Sequence, residues 1–209
     1  MTRTTKIYIP YYSTYQHIYS LAKAIKEGAE RVPNVEVKIF QVPETLPQEV
    51  LTKMYAPPKP EGIEVITPEL LKEADGLLFG IPTRFGMMPA QWKHFWDACG
   101  GLWATGALQN KFAGTFVSSN TQHGGQETTH LTFLTTIAHF GMVYVPLGYA
   151  STHLQEANEV IGGSPYGASV VAGENGAKQA SEKELEIART QGENFAKLVS
   201  QYVKGSETA

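Results

Sequence analysis

Short apolar runs alternate with amphipathic stretches along this chain of 209 residues, and no other sequence feature restricts the fold as strongly. A run that is apolar throughout suits a strand buried on both faces. An amphipathic stretch between two such runs suits a helix that carries the chain back across the sheet. Residues 6–12 and 35–40 form the first two runs, and residues 76–81, 112–117 and 142–145 follow. After the first run, Ile18, Leu21, Ala22, Ile25 and Ala29 share one helical face, with Lys23, Lys26, Glu27 and Glu30 opposite. Thr67 reads as an N-cap, with Pro68 at the first helical position. Pro89 opens a helix that buries Trp92, Phe95, Trp96 and Cys99, and a further helix covers about residues 127–139. Ser181 and Glu184 make a capping box for a last helix whose inner stripe is Leu185, Ala188, Phe195, Val199 and Tyr202.

Five strands joined by four crossovers predict an α/β fold, a flavodoxin-like doubly wound five-stranded parallel sheet of order 2-1-3-4-5, since the other common doubly wound order has six strands. We expect a single domain over residues 1–209 with its last few residues disordered. Pro10 falls inside the first strand, where it removes a ladder donor, and is read as a tolerated local defect such as a bulge. Residues 42–66 form a Pro-rich excursion and residues 148–180 a Gly-rich one; loops this long are functional or interfacial about as often as they are plain surface irregularity.

Composition narrows the function. A net charge of -3 argues against nucleic acid as a partner. One cysteine, Cys99, cannot form an internal disulfide, so a reducing, cytoplasmic setting is expected, with peripheral membrane association left open. Residues 1–6 lack the apolar core of a signal peptide, and no apolar run reaches the ~20 residues of a membrane span. The six histidines (His17, His94, His123, His130, His139 and His153) show no paired-ligand spacing, so no metal site is expected. Response-regulator receivers share the strand order but need acidic residues where Tyr12, Ser13, Pro82 and Thr83 stand. No G-x-S-x-G elbow occurs.

In such a sheet the ligand sits beyond the carboxyl ends of the strands. Three loops converge there. Ser13, Thr14, Tyr15, Gln16, His17 and Ile18 open a helix and offer hydroxyls and free amides to a phosphate, although the loop holds no Lys or Arg. Thr83, Arg84 and Phe85 offer a donor fork and a flat face, and their backbone amides suit the polar edge of a heterocycle; the plainer reading is a surface arginine and a core phenylalanine. Ser119, Asn120, Thr121, Gln122, His123 and Gly124 form a polar loop that could close over the other edge of a planar ring. Trp103 follows two glycines and reads as exposed, against the plainer reading of a packed core residue. A helix carrying Leu131, Phe133, Leu134, Ile137 and Phe140 is apolar nearly all round, which suggests burial against a partner.

Several stretches together resemble the WrbA family of flavodoxin-like NAD(P)H:quinone oxidoreductases. They are residues 11–18 and 42–46, Gly80 with residues 82–86, Gly100 to Trp103, residues 124–127, Ala138 with His139, residues 145–149 and residues 163–167. The resemblance implies non-covalent FMN, NADH or NADPH as co-substrate, a quinone substrate and a homotetramer. It implies ping-pong transfer of a hydride through flavin N5. It places Ser13 to Ile18 on the phosphate, Thr83, Arg84 and Phe85 on the isoalloxazine, and Ser119 to Gly124 on its other edge. His139 would reach the flavin of a neighbouring subunit, Tyr15 the nicotinamide cofactor and Trp103 the quinone; His139 and Tyr15 are the candidate catalytic donors. The chain departs from the family where Gln16 replaces a usual glycine and where the third loop lacks two glycines, at positions 121 and 123. A lost glycine that needs φ > 0 costs ~1–3 kcal/mol of local strain. The alternative reading is a flavodoxin-like binding or regulatory module with weakened FMN binding.

Overall fold

The computed structural model describes residues 3–206. The expected disorder of the last few residues falls mostly outside that range. In chain order the elements are β1 (Thr5–Tyr11), α1 (His17–Ala29), β2 (Val35–Gln41), α2 (Gln48–Lys53), α3 (Pro68–Leu71), β3 (Gly76–Pro82), α4 (Ala90–Asp97), α5 (Gly100–Ala104), β4 (Phe112–Ser119), α6 (Thr128–His139), β5 (Val143–Tyr144), β6 (Ser169–Val171) and α7 (Glu182–Ser206). All ladders are parallel, and the order is β2-β1-β3-β4-β5.

The fifth position departs from the simple expectation of five strands. β5 is only two residues long and pairs with the start of β4, at Phe112 and Ala113. The chain then leaves the sheet and returns as β6, which pairs with the end of β4 at Val117, Ser118 and Ser119. The Gly-rich excursion therefore supplies a sixth strand that lengthens the sheet towards its carboxyl edge.

Pro10 produces no bulge. The β1–β2 register runs unbroken from Thr5 to Tyr11. The Tyr12 amide donates to Gly80 O on β3, and alternate residues face the same neighbour, so the missing donor of Pro10 also faces β3. The β1–β3 ladder is interrupted there, with pairs at Ile7, Tyr8 and Tyr11 but none at Ile9 or Pro10.

Two cores lie on the two faces of the sheet. On one, Ile7, Ile9, Leu78 and Phe116 pack against α1 and α7. These helices touch through Gly28 and Gly192, where an added Cβ would lie 2.0 Å from the Arg189 and Ile25 carbonyl oxygens. On the other face, Phe79 is ringed by Trp92, Trp96 and Phe133 at centroid distances of 5.3–5.6 Å. Trp92 Nε1 donates to Gly80 O at 2.8 Å. Cys99 is buried in this core; burial pushes its thiol up to about 12, and it donates to Phe95 O. Within α6, Phe133 and Ile137 are buried and Leu134 partly so, as is Phe140 just beyond its end, leaving Leu131 as the outward large apolar side chain; the helix spends most of its apolar surface inside its own chain. Tyr202 also departs from expectation: it is 54% exposed, its ring resting edge-on against Phe112.

The capping box forms as read, with the Ser181 amide donating to Glu184 at 2.7 Å and the Glu184 amide to Ser181 Oγ at 3.3 Å. Glu184 is fully buried and does more than cap. Its Oε1 also accepts the amides of Gly162 (2.8 Å) and Val171 (3.0 Å), which ties the excursion, β6 and α7 to one carboxylate. No helix among the described residues is long and apolar enough to cross a membrane.

Candidate functional site

The carboxyl ends of β1, β3, β4 and β6 surround a cleft of about 480 Å³, a size ordinary for a small-molecule site. Its floor and walls come from Ser13, Thr14, Tyr15, His17, Thr83, Arg84, Ser119 and Asn120, all expected from sequence. Pro82, the first residue of the second loop, lines it too, and so do Met54, Ser118, Ala172, Asn175 and Gly176, which were not expected.

The first loop is built to receive an anion. None of the amides of residues 13 to 19 has a hydrogen-bond partner among the described residues; the first bonded one is Ser20, which donates to Gln16 O at 3.0 Å. A helix start always leaves its first amides open, but here the series extends back through the loop. The loop residues contribute in different ways. Ile18 is fully buried in the core and can offer only its amide. Gln16, at φ 68°, caps α1 in the left-handed region and turns its Nε2 outward to Pro58 O. His17 Nε2 lies 3.1 Å from Lys178 O; a carbonyl can only accept, so Nε2 carries the hydrogen. That bond joins α1 to the segment carrying Asn175 and Gly176.

The second loop corrects the plainer sequence reading. Arg84 and Met87 exchange backbone hydrogen bonds of 2.8 and 3.1 Å around Phe85 (φ 55°) and Gly86 (φ 82°). Two central residues at positive φ are the mark of a type I′ turn. Phe85 therefore projects from the tip, fully exposed, and is no core residue. Arg84 folds back, with Nη1 on Thr83 O (2.8 Å) and Nη2 on Thr14 Oγ1 (3.2 Å), linking the second loop to the first. The loop's amides are mostly engaged: Thr83 donates to Ser118 O, Arg84 to Met87 O and Gly86 to Thr83 Oγ1, which leaves Phe85.

The third loop enters the cleft only at its start. Ser119 is buried and bonded to Gln126, while Asn120, Thr121, Gln122, His123 and Gly124 are exposed. None of residues 119 to 124 has a positive φ, so the expected strain from its lost glycines is absent. The glycine that matters is Gly125, at φ 114°, where an added Cβ would meet Thr83 Oγ1 at 2.7 Å. Trp103 is exposed, as read, but does not line the cleft. His139 is exposed at the far end of α6, eleven residues or about 16 Å along the helix from Thr128; one chain alone does not bring it to the site.

A family model described as NADPH-dependent FMN reductase matches residues 16–157, well over half of the chain. The chain belongs to that family. The quinone-oxidoreductase QR2 of Triphysaria versicolor is 57% identical to it over 90% of this chain and 92% of that protein. The NAD(P)H quinone oxidoreductase PST2 of Candida albicans is 52% identical over 94% and 97%. Among solved structures, the flavodoxin, WrbA-like protein from Agrobacterium tumefaciens superposes with a TM-score of 0.66 at 22% identity, covering 95% of this chain and 99% of that one. That likeness concerns the fold.

Proposed function

We propose that this protein is an FMN-dependent NAD(P)H:quinone oxidoreductase. The observation that carries the reading is the row of unpartnered amides at residues 13 to 19, flanked by the Ser13 and Thr14 hydroxyls at the sheet's switch point. This suits a phosphate that needs no metal, and the cleft beyond it is open to a planar ring. The family and the names of its relatives agree with that chemistry.

When bound, FMN supplies two-electron hydride chemistry between a nicotinamide and a quinone. The chain's own residues hold and orient. The first-loop amides would hold the phosphate, Thr83 and Arg84 would form the wall against the ring system, and the Phe85 amide, unbonded at the turn beside that wall, would be the donor left for its polar edge. Ser119 and Asn120, the part of the third loop that reaches the cleft, would close the opposite edge. Tyr15, partly exposed at the mouth with its hydroxyl on Met54 O at 3.0 Å, is placed to meet an incoming ring. Tyr15 lines the cleft of its own chain, whereas His139 does not.

A homotetramer is part of the proposal. Phe85, Met87, Trp103 and Leu131 are exposed apolar side chains, and His139 and Trp103 would contribute to a cleft only from another subunit. A cytoplasmic setting is part of the same proposal, which a free, buried Cys99 suits.

The purified protein, given FMN, NADH and benzoquinone, is expected to oxidise NADH in proportion to bound flavin. Absence of saturable FMN binding at micromolar concentration would instead favour the binding-module reading, for which the left-handed Gln16 is the one supporting observation. A monomer by light scattering at micromolar concentration would overturn the tetramer.

A further inference from the structure

The phosphate loop contains no cation, yet one reaches it from elsewhere. Lys59, in the Pro-rich excursion, donates from Nζ to Ser13 O at 2.8 Å. The same segment makes two more bonds to the loop, from Tyr15 Oη to Met54 O (3.0 Å) and from Gln16 Nε2 to Pro58 O (3.3 Å). Lys59 is itself held. Glu44 lies 3.1 Å from its Nζ, the Tyr12 ring centre 4.6 Å away, and Glu44 is fixed by the amides of Thr45 and Leu46, the Tyr12 hydroxyl and Gln91.

We propose that Lys59 is a positioning residue for the phosphate end of the flavin, acting by fixing the Ser13–Thr14 peptide. In a trans peptide the carbonyl and the following N–H point in opposite directions. By holding the Ser13 carbonyl against the excursion, Lys59 turns the Thr14 amide the other way, into the cleft. Thr14 lines that cleft, and its amide has no partner among the described residues. The ammonium's own field matters less, because the Glu44 carboxylate beside it offsets most of the charge seen from the cleft. The excursion is thus a strap that sets the loop's geometry before any ligand arrives.

This assignment rests on the flavin reading, which the wild-type titration tests separately. Flavin fluorescence gives dissociation constants for FMN and for riboflavin, which has the same ring but no phosphate. Lys59→Met is expected to weaken FMN about ten-fold, the loss associated with one charge-assisted hydrogen bond, and to leave riboflavin unchanged. Because Met also uncovers the Glu44 charge, the comparison is made in high salt, which screens that charge, and the weakening should persist there. Lys59→Arg, which keeps a donor within reach of the Ser13 carbonyl, should restore most of the FMN affinity. Equal weakening of both flavins would show general loosening of the cleft and overturn the proposal. So would unchanged FMN binding, an Arg variant no better than Met, or a weakening that vanishes in high salt, which would mean that Lys59 acts through charge.

Discussion

The first and third loops of the cleft have both lost glycines that the resembling family usually carries, and the consequences differ. At Gln16 the backbone still adopts the left-handed conformation that glycine tolerates, so the side chain sits under strain and a strap of three hydrogen bonds holds the loop around it. At Thr121 and His123 the backbone has no positive φ, and from Thr121 to Gly124 the loop stands exposed with local bonds, such as the Gly124 amide to Thr121 O, while the residues before it are tied to Ala172 and Gly173. Motif glycines therefore serve two purposes. One sets a backbone conformation the chain must retain; the other leaves room, and can be filled without cost to the fold.

The largest test concerns how the third-loop side is held. Where the first loop is strapped from the surface, the wall of residues 169–178 opposite it hangs on the buried Glu184. Glu184→Ala strands the Gly162 and Val171 amides and is expected to destabilise the protein by about 3 kcal/mol, measured by urea unfolding. A loss under 1 kcal/mol would mean that the wall needs no such anchor. Lys59→Met, at the strap, should leave the urea midpoint nearly unchanged.

A second test separates the two sides by pH. His130, on the helix that follows the third loop, is fully buried with Nδ1 2.7 Å from Thr115 Oγ1, and burial lowers its pKa to about 3. The unfolded chain binds a proton near pH 6.5 and the folded one does not. Stability therefore falls as pH drops below 6.5, by up to about 1.4 kcal/mol per unit, until the folded form also protonates near pH 3. Unfolding of the wild type and of His130→Asn between pH 6.5 and 5 checks it; equal slopes would remove His130 as the source.

The smallest effects bear on the glycines directly. Gln16→Gly should stabilise by about 1 kcal/mol through relief of the left-handed conformation, whereas Thr121→Gly should destabilise by about 0.5 kcal/mol because it only loosens the unfolded chain. Thermal melts of the two variants should shift in opposite directions. Shifts of the same sign would erase the distinction between the loops.

Much of the fold was legible because it follows from periodicity. The apolar runs located the first four strands, and the Ser181/Glu184 pair located the start of α7. β6 was not legible, since Ser169, Val170 and Val171 make no run of their own and become a strand only because β4 extends beside them. β5 proved shorter than its apolar run, pairing only at Val143 and Tyr144. In the site, the first loop could be read because a polar segment between a strand and a helix leaves amides open. Phe85 misled because aromatic character suggests burial, whereas its position in a turn of two positive φ values sends it outward. Asn175 and Gly176 carried a turn signal in their residue types, but only the fold shows that the turn faces His17. Lys59 is forty-six residues from Ser13, and no spacing rule joins them.

The two short partners of β4 have a consequence for how this architecture tolerates change. Because β6 takes its register from Val117 to Ser119 of β4, and Leu147, Leu154 and Ile161 seat the rest of the intervening stretch on the core, the sheet fixes the two ends of that stretch but not the length of its exposed bend. Asn158, exposed at its outer bend, is where a guest peptide or reporter could be grafted while the cleft keeps its shape.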